Sequence, residues 1–322
     1  MIILHLKNCC QLLQKLLVLN CQLKEEHNIT IKSFYRSQNH DFTLVQGDCT
    51  KILPQFEFQF DMIFADPPYF LSNGGISVQS GKQVSVDKGE WDKSNGFEKD
   101  NEFNRLWLSL CREKLKDNGT IWISGTYHNI FSVAQMLTEL DFRILNCITW
   151  AKTNPPPNLS CKFFTHSTEF ILWARKNKKI THYYNYELMK KINGGTQMRD
   201  LWSLPAIAKW EKSCGKHPTQ KPLPLLARII LASTKENDWI LDPFTGSSTT
   251  GIAANLLNRR FLGLDKEEKF LEISKKRREE IDDIKIYAQY YSKLFTFPNN
   301  PFEKIPVLHE NCSYFGIDLP ID

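Results

Sequence analysis

Phe60-Asp61-Met62-Ile63-Phe64-Ala65-Asp66-Pro67-Pro68-Tyr69-Phe70 is an apolar run that stops at an acid, two prolines and two aromatic rings. Residues 60 to 65 have the length and hydrophobicity of a fully buried strand, and Pro67 ends it by removing a backbone donor and forbidding helix. Asp66 is thereby delivered to the end of a strand. Ligands of open α/β sheets bind outside the carboxyl ends of the strands, so an acid beside two flat rings is well sited for chemistry. A strand capped by a plain turn is the alternative, because four-residue motifs recur by chance.

Outward from this stretch the chain alternates strand and helix. Upstream, Phe42 to Gln46 reads as a strand ending in Gly47-Asp48-Cys49, and the ordered domain is expected to begin near Asp41. Downstream, Leu71 to Asn95 is polar and glycine-bearing, a loop of a length that is usually functional or disordered. Phe103, Leu106, Trp107, Leu110, Cys111 and Leu115 form a helical apolar stripe, read as core and ended by Asn118-Gly119. Strand 120–124, helix 129–140 and strands 142–150 and 168–175 follow, and the last two suggest an edge hairpin broken by Asn154-Pro155-Pro156-Pro157. Pro222 opens a buried apolar helix running to about Lys235.

A second strand end is Trp239-Ile240-Leu241-Asp242-Pro243-Phe244-Thr245-Gly246-Ser247-Ser248-Thr249-Thr250-Gly251. A turn of small residues before a helix lets a ligand approach the backbone and the helix N-terminus, which favours an anion such as a carboxylate. Strand 261–264 ends in Asp265, 19 residues beyond Gly246, the spacing of an acid that binds ribose hydroxyls. The turn is not Gly-x-Gly-x-x-Gly and no diphosphate-binding lysine follows it. A nucleoside carrying a carboxylate fits better than a dinucleotide or a triphosphate, and S-adenosylmethionine is the common one.

Composition bounds the class. With 322 residues, 42% hydrophobic and 24% charged, the chain is globular, with one large or two modest domains. Nine cysteines include no Cys-x-x-Cys pair, which favours a reduced, cytoplasmic setting and gives no support to a metal site. The net charge of +5 is uneven: between Lys176 and Lys221 ten Lys/Arg face three acids, so this segment carries +7. Interleaved Tyr183, Tyr184, Tyr186, Trp202 and Trp210 give it the composition of a nucleic-acid surface. Lys275-Lys276-Arg277-Arg278, neutralised by Glu279, Glu280, Asp282 and Asp283, reads instead as a solvated helix face. Residues 1–23 are too short and too polar to span a membrane.

Asp66-Pro67-Pro68-Tyr69, Lys216-His217-Pro218-Thr219-Gln220-Lys221-Pro222 and Asp242-Pro243-Phe244-Thr245-Gly246, in that order, resemble the β-group of DNA amino-methyltransferases. Residues 64–75, 84–92, 149–175 and 215–235 resemble the adenine-N6 enzymes of Dpn/Mbo-type GATC systems in particular. The resemblance implies a doubly wound, mostly parallel α/β sheet with an antiparallel edge hairpin. It implies an N-terminal extension over 1–40, a catalytic domain over 41–290, an inserted basic target-recognition region over 176–216 and a tail over 291–322. One departure is Ser248, where the family often has glycine; serine fits there if its φ is negative.

What the resemblance implies for chemistry is methyl transfer from S-adenosylmethionine to a flipped adenine without a metal. Asp66 and the Pro67 carbonyl would accept from the amine, with Pro68 completing the motif, Tyr69 offering a stacking face and Phe70 walling the pocket. Asp48, Cys49, Lys221, Asp242, Pro243, Phe244, Gly246, Ser247, Ser248, Thr249 and Asp265 would hold the cofactor. Phe70, Asn73, Lys190, Lys191 and Arg199 would meet DNA. A companion restriction endonuclease and a homodimer are compatible with it. A cytosine-N4 methyltransferase, in which serine commonly replaces the acid, a nicotinamide dehydrogenase and a non-catalytic nucleic-acid-binding module stay open as alternatives.

Overall fold

The computed structural model describes residues 32–72, 76–79, 82–85, 92–158, 160–215 and 217–295. The strands, in chain order, are β1 (Ser33–Arg36), β2 (Phe42–Gln46), β3 (Phe60–Ala65), β4 (Ile76–Gln79), β5 (Lys82–Ser85), β6 (Leu115–Gly125), β7 (Arg143–Lys152), β8 (Thr168–Arg175), β9 (Leu201–Leu204), β10 (Trp239–Asp242) and β11 (Arg260–Asp265). The helices are α1 (Cys49–Ile52), α2 (Phe97–Lys114), α3 (Ile130–Glu139), α4 (Tyr186–Ile192), α5 (Leu223–Ser233), α6 (Thr249–Leu256), α7 (Glu268–Glu280) and α8 (Ile284–Lys293). Nine strands make one sheet in the order β1-β2-β11-β10-β3-β6-β8-β7-β9, and β4 and β5 pair separately.

The five central strands, β2, β11, β10, β3 and β6, are parallel. Parallel strands need covered faces, which is why they read as continuous apolar runs. From β3 the chain proceeds to β6 on one side, whereas from β10 it proceeds to β11 on the other. The strand order therefore reverses between β3 and β10, and a crevice opens there at their carboxyl ends. Asp66 follows β3 and Asp242 closes β10, so the two acids flank that crevice.

The β7–β8 hairpin lies beyond β6, and the short β9 adds to β7 on its outer side in parallel. Segment 176–216 is thus built into the sheet: Met189, Ile192, Trp202 and Leu204 join the core cluster. All of α5 is buried, and each Leu or Ile so removed from water contributes about 1.5–3 kcal/mol. The Trp122 ring stacks on Trp173 at 4.7 Å, and its indole N–H donates to Ser233 Oγ at 3.0 Å, tying the sheet to α5.

Several sequence expectations change. The sheet begins with β1 at Ser33, earlier than Asp41, because an antiparallel strand pairs with β2. At the other end, Tyr291 and Leu294 of the expected tail are buried in the core. Helix α2 starts at Phe97 and ends at Lys114, with β6 following at once in place of a turn at Asn118-Gly119. Its buried face is Trp107, Leu108 and Cys111; Leu106 is 48% exposed. The buried face of the helix is thus shifted around its axis from the expected stripe toward Asn104 and Leu108.

Candidate active site

Two strand ends and the turns after them enclose a cavity of about 470 Å³, lined on one side by Asp66, Pro68 and Phe70 and on the other by residues 242–247, Asp265 and Phe270. Its chemistry suits a nucleoside amino acid. Aromatic rings offer flat faces, Asp265 offers acceptors, and the backbone of the turn is exposed to the cavity where α6 begins.

Asp66 sits in a tight polar cluster. Tyr69 donates its hydroxyl proton to Asp66 Oδ1 at 2.6 Å, and Lys221 Nζ donates to Asp66 Oδ2 at 2.7 Å and to the Tyr69 oxygen at 3.1 Å. Behind Lys221 stands Glu169 of β8, its Oε2 3.6 Å from the ammonium and its Oε1 2.5 Å from Lys152 Nζ. Burial disfavours the charge on Lys221, but Asp66, Tyr69 and Glu169 together outweigh it and hold the ammonium well above its ordinary pKa. Burial, then the charge of Asp66, pushes the Tyr69 phenol far up, so it stays a donor. Tyr69 is only 7% exposed, so its ring is packed inside and Phe70 is the ring that reaches the cavity.

The motif loop is held from below by Asp92, a residue that no local sequence pattern marks. Its Oδ1 accepts from the backbone N–H groups of Tyr69 and Phe70 at 2.8 and 3.0 Å, and its Oδ2 accepts from Ser72 Oγ at 2.8 Å. Phe70 has φ +58, a left-handed conformation that costs a non-glycine residue about 1–2 kcal/mol and so needs such anchoring.

At the opposite wall, Asp242 accepts from Thr250 Oγ1 at 2.6 Å and from the Phe244 N–H at 3.1 Å. Burial pushes its carboxyl up to about 7 against those bonds. Asp265 accepts from the N–H groups of Gly246 and Glu267, both at 2.8 Å, and burial raises it to about 6. Gly246 has φ +51 and a Cβ there would lie 2.9 Å from the His217 ring, so glycine is favoured on both counts.

Ser248 departs from expectation: its φ is +54, left-handed rather than negative. Its hydroxyl, fully buried, bonds Thr245 Oγ1 at 2.8 Å and Ser274 Oγ at 2.9 Å, and Ser274 bonds the Gly246 carbonyl at 2.8 Å. These bonds offset the strain and clamp the turn onto α7. The basic run on α7 is a solvated face only in part: Lys276 is exposed, but Arg277 and Arg278 are buried. Arg277 Nη1 donates to the Ser247 carbonyl at 2.6 Å and to Thr249 Oγ1 at 2.9 Å, while Arg278 pairs with Asp41 and Asp282. A guanidinium can satisfy several turn carbonyls and hydroxyls from below, which a count of charges along the sequence does not reveal.

The other expected site residues divide between the cavity wall and positions outside it. Asp48 caps α1 through the N–H and hydroxyl of Thr50, at 2.9 and 2.7 Å, and pairs with Lys266 at 2.8 Å; its neighbours Gly47 and Cys49 line the cavity instead. Burial pushes the Cys49 thiol up to about 12, so it lines the wall as a neutral group. Pro243, Phe244, Ser247 and Thr249 line the cavity, and Phe244 packs edge-on to Trp107 at 5.3 Å. Lys190 and Lys191 on α4 and Arg199 beyond it do not line the cavity; the Asn185 N–H at the start of α4 bonds the Ala232 carbonyl, at the end of α5 away from Lys221. Asn73 and Lys216 lie outside the described residues. Near the start of β8, Tyr127, Phe131, Phe163 and Phe164 are exposed, and Tyr127 stacks on His166 at 5.0 Å.

Among the described residues no His, Cys, Asp and Glu group could hold a metal ion, and no helix is long and apolar enough to cross a membrane.

Residues 60–276 match the N6_N4_Mtase family, described as DNA methylase. The chain is 56% identical over 255 residues to the type II methyltransferase M2.MboI of Moraxella bovis, covering 79% of this chain and 93% of that one. It is 62% identical over 238 residues to the type II methyltransferase M2.DpnII of Streptococcus pneumoniae, covering 73% and 89%. Among solved structures, a complex of M1.HpyAVI with SAM superposes with a TM-score of 0.58 at 29% identity, over 74% of this chain and 98% of that chain. The cytosine-N4-specific PvuII DNA methyltransferase reaches a TM-score of 0.61 at 18% identity, over 83% and 96%, a likeness of fold alone.

Proposed function

This chain belongs to the N6/N4 DNA methylase family and takes its methyl group from S-adenosylmethionine, and on that premise we propose that it methylates adenine N6, within GATC, after flipping the base from the duplex. The observation that carries the choice of adenine is Asp66 itself, a carboxylate facing the cavity at the position where cytosine-N4 enzymes commonly carry serine.

An exocyclic amine conjugated with its ring is a poor nucleophile. Two acceptors that hold its hydrogens favour a pyramidal nitrogen with an available lone pair, and the Asp66 carboxylate and Pro67 carbonyl fill those roles. Tyr69, by donating to Asp66 Oδ1, orients the carboxylate so that Oδ2 faces the incoming amine. Phe70 meets the face of the flipped base. Asp265 accepts from ribose hydroxyls, and the 242–249 turn, clamped by Ser274 and Arg277, shapes the rest of the cofactor site. S-adenosylmethionine supplies an electrophilic methyl: the nitrogen lone pair forms the N–C bond, the C–S pair stays on sulfur, and one amine proton leaves to solvent. Holding the two reactants in line is a proximity effect that needs no covalent enzyme adduct.

The same reading assigns target recognition to residues 176–216, by their charge, and sets the enzyme in the cytoplasm beside a companion restriction endonuclease, with room for a homodimer. The test is to incubate GATC-containing DNA with the protein and labelled S-adenosylmethionine, then to analyse nucleosides and digest with methylation-sensitive GATC nucleases. N6-methyladenine and protection at GATC are expected; N4-methylcytosine, or label at other sequences, contradicts the proposal.

A further inference from the structure

The Lys221 ammonium occupies the place that an amine substrate has to take. It fills Asp66 Oδ2 at 2.7 Å, and only 7% of its side chain is exposed. A second acid is near it, Glu169, whose Oε2 lies 3.6 Å from the same nitrogen. Glu169 is pinned through Oε1 by Lys152, and these two residues belong to paired strands, β8 and β7. The four groups alternate in sign: Asp66, Lys221, Glu169, Lys152.

We infer that Lys221 is a two-position ammonium, resting on Asp66 in the free enzyme and passing to Glu169 when the target amine takes Asp66, so that Glu169 is a positioning residue for the reaction. The inference rests on the reading of Asp66 as the acceptor for the amine. Two physical demands support it. An ammonium left on Asp66 blocks the acceptor and repels the positive charge that reaches the nitrogen during methyl transfer. An ammonium displaced with no second carboxylate becomes an unpaired buried charge, which is strongly unfavourable. The 3.6 Å separation is longer than a hydrogen bond but closes with a small swing of a flexible side chain. No bond to Lys221 forms or breaks and no proton need move.

The test measures KM for DNA and the single-turnover rate at saturating DNA in Glu169→Gln, Glu169→Asp, Lys221→Met and the Lys221→Met/Glu169→Gln double variant. Glu169→Gln should raise KM for DNA about 10- to 100-fold, the scale of one hydrogen bond to a charged group, with a smaller loss in the single-turnover rate. Glu169→Asp should recover most of that affinity, and S-adenosylmethionine binding should be unchanged because Glu169 does not line the cavity. In the Lys221→Met background, Glu169→Gln should have no further effect on KM. An unchanged KM in Glu169→Gln, or the same factor in both backgrounds, overturns the inference. The failure of the underlying reading is seen separately: if the parent protein forms no N6-methyladenine, the amine reading of Asp66 falls, whatever Glu169 does.

Discussion

Lys221 and Asp66 stand 155 residues apart in sequence, yet the ammonium of one lies 2.7 Å from the carboxylate of the other. The sheet makes this contact: Asp66 rides the end of β3, and Lys221 precedes α5, which is buried along its whole length. The cofactor turn sits across the same crevice. One junction in the strand order therefore gathers the acid, its ammonium partner and the turn.

The turn gives a test of backbone strain. Ser248 is left-handed and its hydroxyl makes two buried bonds, so alanine and glycine should separate there. Ser248→Ala loses the bonds and keeps the strain, costing about 1–2 kcal/mol. Ser248→Gly loses the bonds but relieves about 1 kcal/mol of strain, and should come out more stable than alanine. Urea unfolding of both variants gives the order, and alanine equal to or above glycine contradicts the left-handed assignment.

Arg277 is expected to matter as much to the turn as any residue in it. Arg277→Met removes the donors to Ser247 and Thr249 and should cost about 2–4 kcal/mol in stability, in the range for breaking a buried hydrogen-bonded charge. S-adenosylmethionine should bind more weakly as well. Paired unfolding and calorimetric titrations check both, and an unchanged stability would place the guanidinium in solvent.

Stability should also depend on pH through the cofactor wall. Burial raises Asp242 to about 7 and Asp265 to about 6, above the unfolded value of 3.8. The folded state then binds more protons than the unfolded one, so this contribution is complete below pH about 4 and is lost as pH rises toward 7, at up to about 1.4 kcal/mol per unit for each group. Asp242→Asn should flatten the decline between pH 4 and 7. Denaturant titrations across that range, showing the same slope in parent and variant, would remove Asp242 as its source.

Two surfaces are candidates for DNA contact, the basic residues of 176–216 and the exposed aromatics near β8. Neutralising Lys190, Lys191 and Arg199 should flatten the dependence of log affinity on log salt by roughly two to three units, as lost phosphate contacts do. Replacing Phe163 and Phe164 by alanine should weaken binding by about 1–3 kcal/mol per stacked base with the slope intact. If the charge variant keeps the parental slope, the basic segment is not the phosphate-binding face.

The apolar runs that became β2, β3, β8, β10 and β11 were legible because strands buried on both faces have few other readings. The acids at their ends were legible for the same reason. Strands β1 and β9 were not, being short edge strands whose pairing is decided by the neighbour they meet. Asp92 and Glu169 are not marked in the sequence either, and Arg277 reads there as part of a solvated basic face although it is buried. Each acts through a tertiary contact with a distant turn or side chain, and nothing in its local sequence marks it. Ser248 misled because φ is a property of the folded turn.

Whether Asp66 holds the amine during transfer is decided by the single-turnover rate of methylation by Asp66→Ala at saturating DNA and S-adenosylmethionine. The rate should fall by ~10²–10⁴, the range for one positioned catalytic group, with S-adenosylmethionine binding close to that of the parent. A single-turnover rate within a few-fold of the parent would contradict it.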